Sequence, residues 1–144
     1  MKKLILLADD DESIRKTVAR VLESEGHEVV TAASGREAIG KFLGNSPDLM
    51  LLDLNMPDKD GWEALEVITQ FAPFLPVVVI SARSNQYKRA VQAGVDALME
   101  KPLDLHVLLR TISELLAQSE AQRMARLNDR NFTTAYLTPA STTA

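Results

Sequence analysis

The sequence predicts an α/β protein, with a parallel sheet that helices cover on both faces. Along the first 116 residues, five short apolar runs alternate with five segments whose apolar residues recur at helical spacing. Strict alternation of this kind implies right-handed crossover connections and a parallel sheet. The runs are apolar throughout, which is typical of strands buried on both faces. The carboxyl ends of these strands therefore share one edge of the sheet.

The first half of the chain contains three predicted strands. Residues 4–8 form the first strand, and apolar residues between 14 and 22 recur with the period of a helix. A β-branched run at residues 29–31 predicts the second strand. The second helix begins at Ser34, which has a glutamate three residues on, as in a capping box. Residues 49–53 form the third strand, which is followed by a turn-rich loop.

The second half of the chain continues the alternation. The third helix contains the apolar residues between 62 and 68, and residues 77–80 form the fourth strand. The fourth helix contains residues 87–91, and a weak fifth strand covers residues 97–99. Residues 105–116 have the clearest amphipathic pattern in the chain and predict the fifth helix.

The domain organisation follows from where the apolar pattern fades. Residues 1–120 form one predicted domain, large enough to bury its own core. Beyond Leu116 the apolar stripe thins, so we expect the last helix to continue into solvent. Residues 131–144 are rich in Thr and Ala and carry no charge, which is typical of a disordered tail. Residues 121–144 are therefore predicted to be a helical extension followed by such a tail.

Composition excludes several classes of protein. The chain of 144 residues has a net charge of −4 and shows no basic stripe, which argues against a nucleic-acid binder. It has no cysteine, so disulfides and thiolate metal sites are ruled out. The first apolar run stops at Asp9, too early for a signal peptide or a membrane span. We expect a cytoplasmic protein that does not bind membranes.

Polar side chains follow the predicted strands where the strands end. Asp9 and Asp10 follow the first strand, Asp53 ends the third, Ser81 follows the fourth and Lys101 follows the fifth. In an open parallel sheet, ligands bind at this edge. Crowded carboxylates resist joint ionisation unless a cation lies among them, so the pattern predicts a Mg²⁺ site.

The same residue types can support phosphoryl transfer. A carboxylate can act as the nucleophile while other carboxylates bind Mg²⁺. A hydroxyl can donate to a phosphoryl oxygen, and an ammonium can neutralise the charge that develops there. Each residue taken singly has an ordinary structural explanation, such as a helix cap or a solvated loop. Their occurrence at successive strand ends favours the functional interpretation.

Four motifs resemble the receiver domain of bacterial two-component response regulators. They are LLADDD at 6–11, LLDLNMPDKDG at 51–61, VISA at 79–82 and KP at 101–102. The resemblance covers residues 3–118 in the same order and spacing. It implies a flavodoxin-like (βα)5 three-layer sandwich with a five-stranded parallel sheet in the order 2-1-3-4-5, the CheY-like fold. It also implies a cis peptide bond before Pro102.

The resemblance implies a role for each site residue. Asp53 would be the phosphoacceptor. Asp10, Asp53 and the backbone carbonyl of Asn55 would bind Mg²⁺ directly, and Asp9 would act through an ordered water. Magnesium keeps several waters and takes oxygen ligands, which fits this set.

The remaining implied roles concern the phosphoryl group and the partners. Ser81 would contact the phosphoryl group and Lys101 would pair with it. The donor would be a phosphohistidine on a sensor histidine kinase or a phosphotransfer protein. The domain would be a phosphoacceptor with slow self-dephosphorylation rather than a turnover enzyme. A downstream protein, or a second copy, would bind the face formed by helix four, strand five and helix five.

One position departs from the family pattern. Relatives often have Tyr, Phe or His in the fifth strand, two residues before the Glu-Lys pair, where this chain has Leu98. This chain therefore has no aromatic ring at that position to couple to the Ser81 hydroxyl. We expect the loop from Ser81 to Asn85 to transmit the change to helix four instead.

The residues argue against two other functions and leave a third open. A phosphatase of the haloacid-dehalogenase type needs a second Asp two positions after the nucleophile, where this chain has Asn55. A flavin-binding protein needs a first loop that binds phosphate. In this chain that loop contains residues 9–12, and all four are acidic, so they would repel phosphate. A receiver that serves only as a binding scaffold stays open as an alternative.

Overall fold

The computed structural model describes residues 2–56 and 60–138. Within these residues, five of the strands and five of the helices correspond to the predicted ones. The elements in chain order are β1 (Leu4–Ala8), α1 (Glu12–Ser24), β2 (Glu28–Ala32), α2 (Gly35–Asn45), β3 (Leu49–Asp53), α3 (Gly61–Phe71), β4 (Val77–Ser81), α4 (Tyr87–Ala93), β5 (Ala97–Glu100), α5 (Leu105–Leu116), α6 (Glu120–Leu127) and β6 (Ala135–Leu137).

The sheet is parallel throughout, with the order β2-β1-β3-β4-β5-β6. The predicted order 2-1-3-4-5 and the flavodoxin-like α/β fold are confirmed. The predicted count of five strands was wrong, because β6 adds a sixth strand beside β5. The carboxyl ends of β1, β3, β4 and β5 lie at one edge of the sheet, as the alternation predicts.

Burial on both faces explains the continuous apolar runs. Every residue of β3 and β4 is buried. One face of the sheet, including Leu6 and Leu52, packs against α2, α3 and α4. The other face, including Leu7 and Leu51, packs against α1 and α5. Neighbouring residues of one strand therefore belong to different layers, which gives the three-layer sandwich.

Two features near strand ends fix the loops around the site. The Asp11 carboxylate caps α1 by accepting hydrogen bonds from the N–H groups of Ser13 (2.9 Å) and Ile14 (3.3 Å). Gly61 begins α3 so close to the end of β3 that a Cβ would lie 2.5 Å from the Asp53 carbonyl oxygen. Only glycine allows this approach without moving the backbone.

The carboxyl-terminal part differs from the prediction. Helix α5 ends at Leu116 instead of continuing into solvent, and a separate helix, α6, begins after the Ser119 cap. Helix α6 packs against the domain because Arg123, only 5% exposed, pairs with Asp96. Part of the expected disordered tail forms β6, while residues 139–144 lie outside the described residues. None of the described helices is long and apolar enough to cross a membrane.

Candidate functional site

Three aspartates gather at the carboxyl edge of the sheet. Asp9, Asp10 and Asp53 each place a carboxylate oxygen within 4.8 Å of the others. Asp9 and Asp53 are buried, at 0% and 2% exposure, while Asp10 is exposed. The acidic cluster predicted from the strand ends is therefore present, with one side open to solvent.

The sheet register explains why these side chains meet. Strands β1 and β3 are neighbours, with Ala8 beside Leu52, so the residues that follow them are adjacent. The Asp9 backbone is also held from both sides: its N–H donates to the Ala32 carbonyl (3.0 Å), and its carbonyl accepts a hydrogen bond from Arg15 Nη1 (2.7 Å). Arg15 was not singled out from the sequence, because nothing in a helical arginine indicates that it contacts a loop carbonyl.

Lys101 lies between the two buried carboxylates. Its Nζ is 3.2 Å from Asp9 Oδ2 and 3.4 Å from Asp53 Oδ2. The peptide bond between Lys101 and Pro102 is cis, as the resemblance implied. Burial lowers the pKa of the Lys101 ammonium, but the charges of Asp53 and Asp9 outweigh it and leave the pKa raised. Lys101 is therefore a charged group at neutral pH.

The Asp53 carboxyl is strongly perturbed. Burial raises its pKa from the ordinary value of 3.8 to about 6, and repulsion from Asp9 adds to the rise. A hydrogen bond of 3.0 Å from the Asn55 N–H to Asp53 Oδ1, together with the Lys101 charge, opposes it. Asp53 is therefore mostly ionised at pH 7, at the cost of poor solvation. An ionised and poorly solvated carboxylate has the properties of a nucleophile.

Ser81 lies at the same edge, at the end of β4. Strand β4 is next to β3, with Ile80 beside Asp53. The Ser81 hydroxyl is turned to its own loop, since it accepts a hydrogen bond from the Arg83 N–H (2.9 Å) and donates to the Arg83 carbonyl (3.2 Å). The Ser81 carbonyl accepts a 2.8 Å hydrogen bond from the Lys101 N–H, which ties the ends of β4 and β5 together.

The donor set fits a hard divalent cation. Asp9 Oδ2 is buried, and no donor in residues 2–56 or 60–138 approaches it with hydrogen-bond geometry, although Lys101 Nζ is close. A buried carboxylate oxygen without a hydrogen bond is costly unless an ion or a water satisfies it. Carboxylate oxygens with one open side suit Mg²⁺, which keeps several of its waters. The predicted residues Asp9, Asp10, Asp53 and Lys101 are brought together, and Ser81 and Asn55 lie at the same edge.

Comparison of the sequence with known families agrees with this geometry. A family model described as the response regulator receiver domain matches residues 5–113. The alkaline phosphatase synthesis transcriptional regulatory protein PhoP of Bacillus subtilis is 32% identical over 122 residues, which are 83% of this chain and 51% of that protein. The response regulator MprA of Mycolicibacterium vanbaalenii is 34% identical over 80% of this chain and 51% of its own length. The chain thus spans about half the length of these curated relatives.

Comparison with solved structures gives the same result. A CheY-like receiver domain protein from Methanospirillum hungatei has a TM-score of 0.77 and 31% identity, over 87% of this chain and 99% of that one. The structure of NtrX from Brucella abortus in complex with ATP has a TM-score of 0.79 and 32% identity, over 88% of this chain and 30% of that one. Fold, motifs and sequence similarity coincide over the same residues. The chain therefore belongs to the response regulator receiver domain family of two-component signalling systems.

Proposed function

We propose that this receiver accepts a phosphoryl group on Asp53 in a Mg²⁺-dependent reaction. The donor is a phosphohistidine of a sensor histidine kinase or a phosphotransfer protein. The observation that carries the proposal is the position of Asp53, a buried carboxylate that shares a lysine ammonium with a second buried carboxylate.

The chemistry assigned to Asp53 is nucleophilic attack on phosphorus. A carboxylate oxygen forms a bond to phosphorus, the bond from phosphorus to the histidine nitrogen breaks, and the nitrogen keeps the electron pair. The product is an acyl phosphate on Asp53, and its phosphoryl group adds negative charge to the site. Because the pKa of Asp53 is about 6, the ionised form that attacks dominates at pH 7.

Asp10, Asp53 and the Asn55 carbonyl would hold Mg²⁺, with Asp9 acting through a water. Bound there, Mg²⁺ supplies charge neutralisation for the phosphoryl oxygens. Lys101 supplies a second positive charge, and it already lies 3.4 Å from Asp53 Oδ2. The Ser81 hydroxyl would exchange its hydrogen bond to the Arg83 carbonyl for one to a phosphoryl oxygen.

On this mechanism the chain acts as a signalling domain and not as a turnover enzyme. Hydrolysis of small phosphate esters needs a general acid, and the position two residues beyond Asp53 is Asn55, which cannot donate a proton in that way. The output is a change in binding to a downstream protein or to a second copy, at the α4, β5 and α5 face. The domain acts in the cytoplasm beside its phosphodonor, and neither nucleic acid nor membrane is a partner of this chain.

The test uses the full chain with Mg²⁺ and a small acyl-phosphate donor, followed by intact mass. We expect the wild type to gain one phosphoryl group and Asp53→Asn to gain none. Asp11→Asn is the matched control, because Asn also caps helices well and the exposed Asp11 lies outside the cluster. An unchanged wild-type mass with several donors, in protein whose circular dichroism shows it folded, would contradict the proposal.

A further inference from the structure

The carboxyl-terminal segment, residues 119–138, packs against the sheet in two places: α6 contacts residues that precede β4 and β5, and β6 lies at the outer edge. Strand β6 pairs with β5 in parallel register, placing Ala135 beside Ala97, Tyr136 beside Leu98 and Leu137 beside Met99. Without β6, strand β5 would be the edge of the described sheet. An uncovered edge strand presents unpaired N–H and C=O groups, which can pair with another extended segment.

The two ends of this segment are held differently. Helix α6 is anchored by a buried ion pair, in which the Arg123 guanidinium donates to Asp96 Oδ1 (2.5 Å) and to Asp96 Oδ2 (3.1 Å). Arg123 Nε also donates to the Phe74 carbonyl (3.1 Å). Arg126 of the same helix places its Nε 3.0 Å from Asp96 Oδ1. Detachment of α6 would therefore remove two guanidinium partners from a buried carboxylate, so α6 is firmly attached.

Strand β6 is held more weakly than α6. It has three residues, and Tyr136 is 38% exposed. The segment is joined to the start of β5 by hydrogen bonds from the Ala135 N–H to the Asp96 carbonyl (3.0 Å) and from Thr134 Oγ1 to the Val95 carbonyl (2.7 Å). Because three paired residues bury little surface, the strand can leave the sheet while α6 stays bound.

The most specific contact of the strand is aromatic. The Tyr136 ring stacks on Tyr87 of α4, with 4.7 Å between ring centroids and 8° between planes. The Tyr87 hydroxyl in turn donates to the Thr134 carbonyl (2.8 Å). The β5 edge is therefore paired with an extended backbone, and Tyr87 stacks on the ring of the residue beside Leu98.

The Tyr136 hydroxyl connects this strand to the phosphorylation site. It lies 2.6 Å from Glu100 Oε2 and 3.3 Å from the Ser84 carbonyl. Glu100 directly precedes Lys101. Ser84 follows Arg83, whose backbone holds the Ser81 hydroxyl. A single hydroxyl thus contacts both segments that carry the residues facing a phosphoryl group.

We propose that the β5 edge and Tyr87 form a binding site for an extended segment with a central aromatic residue, and that residues 134–137 fill it in cis. A downstream partner binds by supplying such a segment in their place. Phosphorylation of Asp53 releases the cis strand, and this part rests on the function proposed above. When the Ser81 hydroxyl donates to the phosphoryl group, its hydrogen bond to the Arg83 carbonyl breaks; the neighbouring Ser84 then moves, so Tyr136 loses a contact.

The site itself is tested without phosphorylation, by fluorescence anisotropy with a labelled peptide of residues 131–138. In the full chain, Tyr136→Ala removes the stacked ring and both hydroxyl contacts, so we expect the peptide to bind at least about tenfold more tightly than to the wild type. Ala135→Pro removes the N–H that bonds Asp96 and gives a second, independent variant. A peptide with Ala in place of its tyrosine should not bind. Equal binding of the peptide to wild type and to both variants would overturn the site.

Control by phosphorylation is tested by amide hydrogen exchange at residues 135–137. With Mg²⁺ and an acyl-phosphate donor, exchange there should become about tenfold faster in the wild type and stay unchanged in Asp53→Asn. Gain of one phosphoryl group with unchanged exchange would overturn this control and leave the proposed function standing. Failure to gain a phosphoryl group would overturn both, while the peptide measurement still decides whether the strand site exists.

Discussion

Lys101 Nζ lies 3.2 Å from Asp9 Oδ2 and 3.4 Å from Asp53 Oδ2, so one ammonium serves two buried carboxylates. The cluster carries a net negative charge, because Asp10 adds a third carboxylate within 4.8 Å of the other two. An incomplete balance of this kind leaves room for a further cation. Burial, together with repulsion from Asp9, keeps the Asp53 pKa high. The stability and the chemistry of the site are therefore linked.

Removal of the shared ammonium should destabilise the fold. In Lys101→Ala, two buried carboxylates lose their counter-charge, and we expect the free energy of unfolding at pH 7 without Mg²⁺ to fall by about 2–4 kcal/mol. Lys16→Ala is the control, since Lys16 pairs with Glu12 on the exposed surface and should change little. Urea unfolding measures both, and equal effects of the two variants would show that Lys101 is not balancing the cluster.

Neutralisation of Asp53 should stabilise the protein in a pH-dependent way. The folded-state pKa of about 6 lies above the ordinary 3.8, so the folded state holds this proton more tightly and ionisation costs stability above pH 6. Asp53→Asn should therefore add about 2–3 kcal/mol to the free energy of unfolding at pH 7 without Mg²⁺. The gain should shrink as the pH falls from 6 towards 4. A variant no more stable than the wild type at pH 7 would contradict this assignment of the pKa.

The glycine at the start of α3 should be essential for the close approach of this helix to the end of β3. In Gly61→Ala, the new Cβ would lie 2.5 Å from the Asp53 carbonyl oxygen and 2.6 Å from Leu54 Cα, both backbone atoms. We expect a loss of about 2 kcal/mol or more in stability and slower phosphorylation. Gly40→Ala is the matched control: it lies within α2 with no atom within 4 Å, and should gain roughly 0.5–1 kcal/mol. Thermal unfolding of both compares them, and a stable Gly61→Ala would show that the start of α3 can move away from the end of β3.

The ion pair that anchors α6 should be a large contributor to stability. Arg123→Ala leaves Asp96 buried without its main partner, although Arg126 Nε stays 3.0 Å away, and we expect a loss of about 3 kcal/mol. Arg130→Ala, at an exposed position just beyond α6, is the control and should have little effect. Chemical unfolding measures the difference. If both variants behaved alike, α6 would not be anchored through Asp96.

Sequence reasoning predicted the features that depend on local pattern. Strands β1, β3, β4 and β5 are recognisable because burial makes their residues apolar, while β2 is recognisable by its β-branched run. The strand ends then place Asp9, Asp53 and Lys101 together. The Ser34 cap also follows from local residue types. These features need no knowledge of distant contacts.

The carboxyl-terminal part was not predictable in the same way. Arg123 resembles any solvent-facing arginine until tertiary structure places it beside Asp96, 27 residues away in the sequence. Strand β6 has only three residues, and its pairing depends on an edge that β5 provides. The direction of the Ser81 hydroxyl likewise depends on the loop backbone around Arg83, which residue identity does not specify.

The phosphoacceptor can be identified directly by locating the phosphoryl group on the chain. The protein is treated with Mg²⁺ and an acyl-phosphate donor, the acyl phosphate is reduced with borohydride, and the reduced residue is found by tandem mass spectrometry. We expect homoserine at position 53 alone. Reduction at Asp9, at Asp10 or at another carboxylate, with Asp53 intact, would contradict the account.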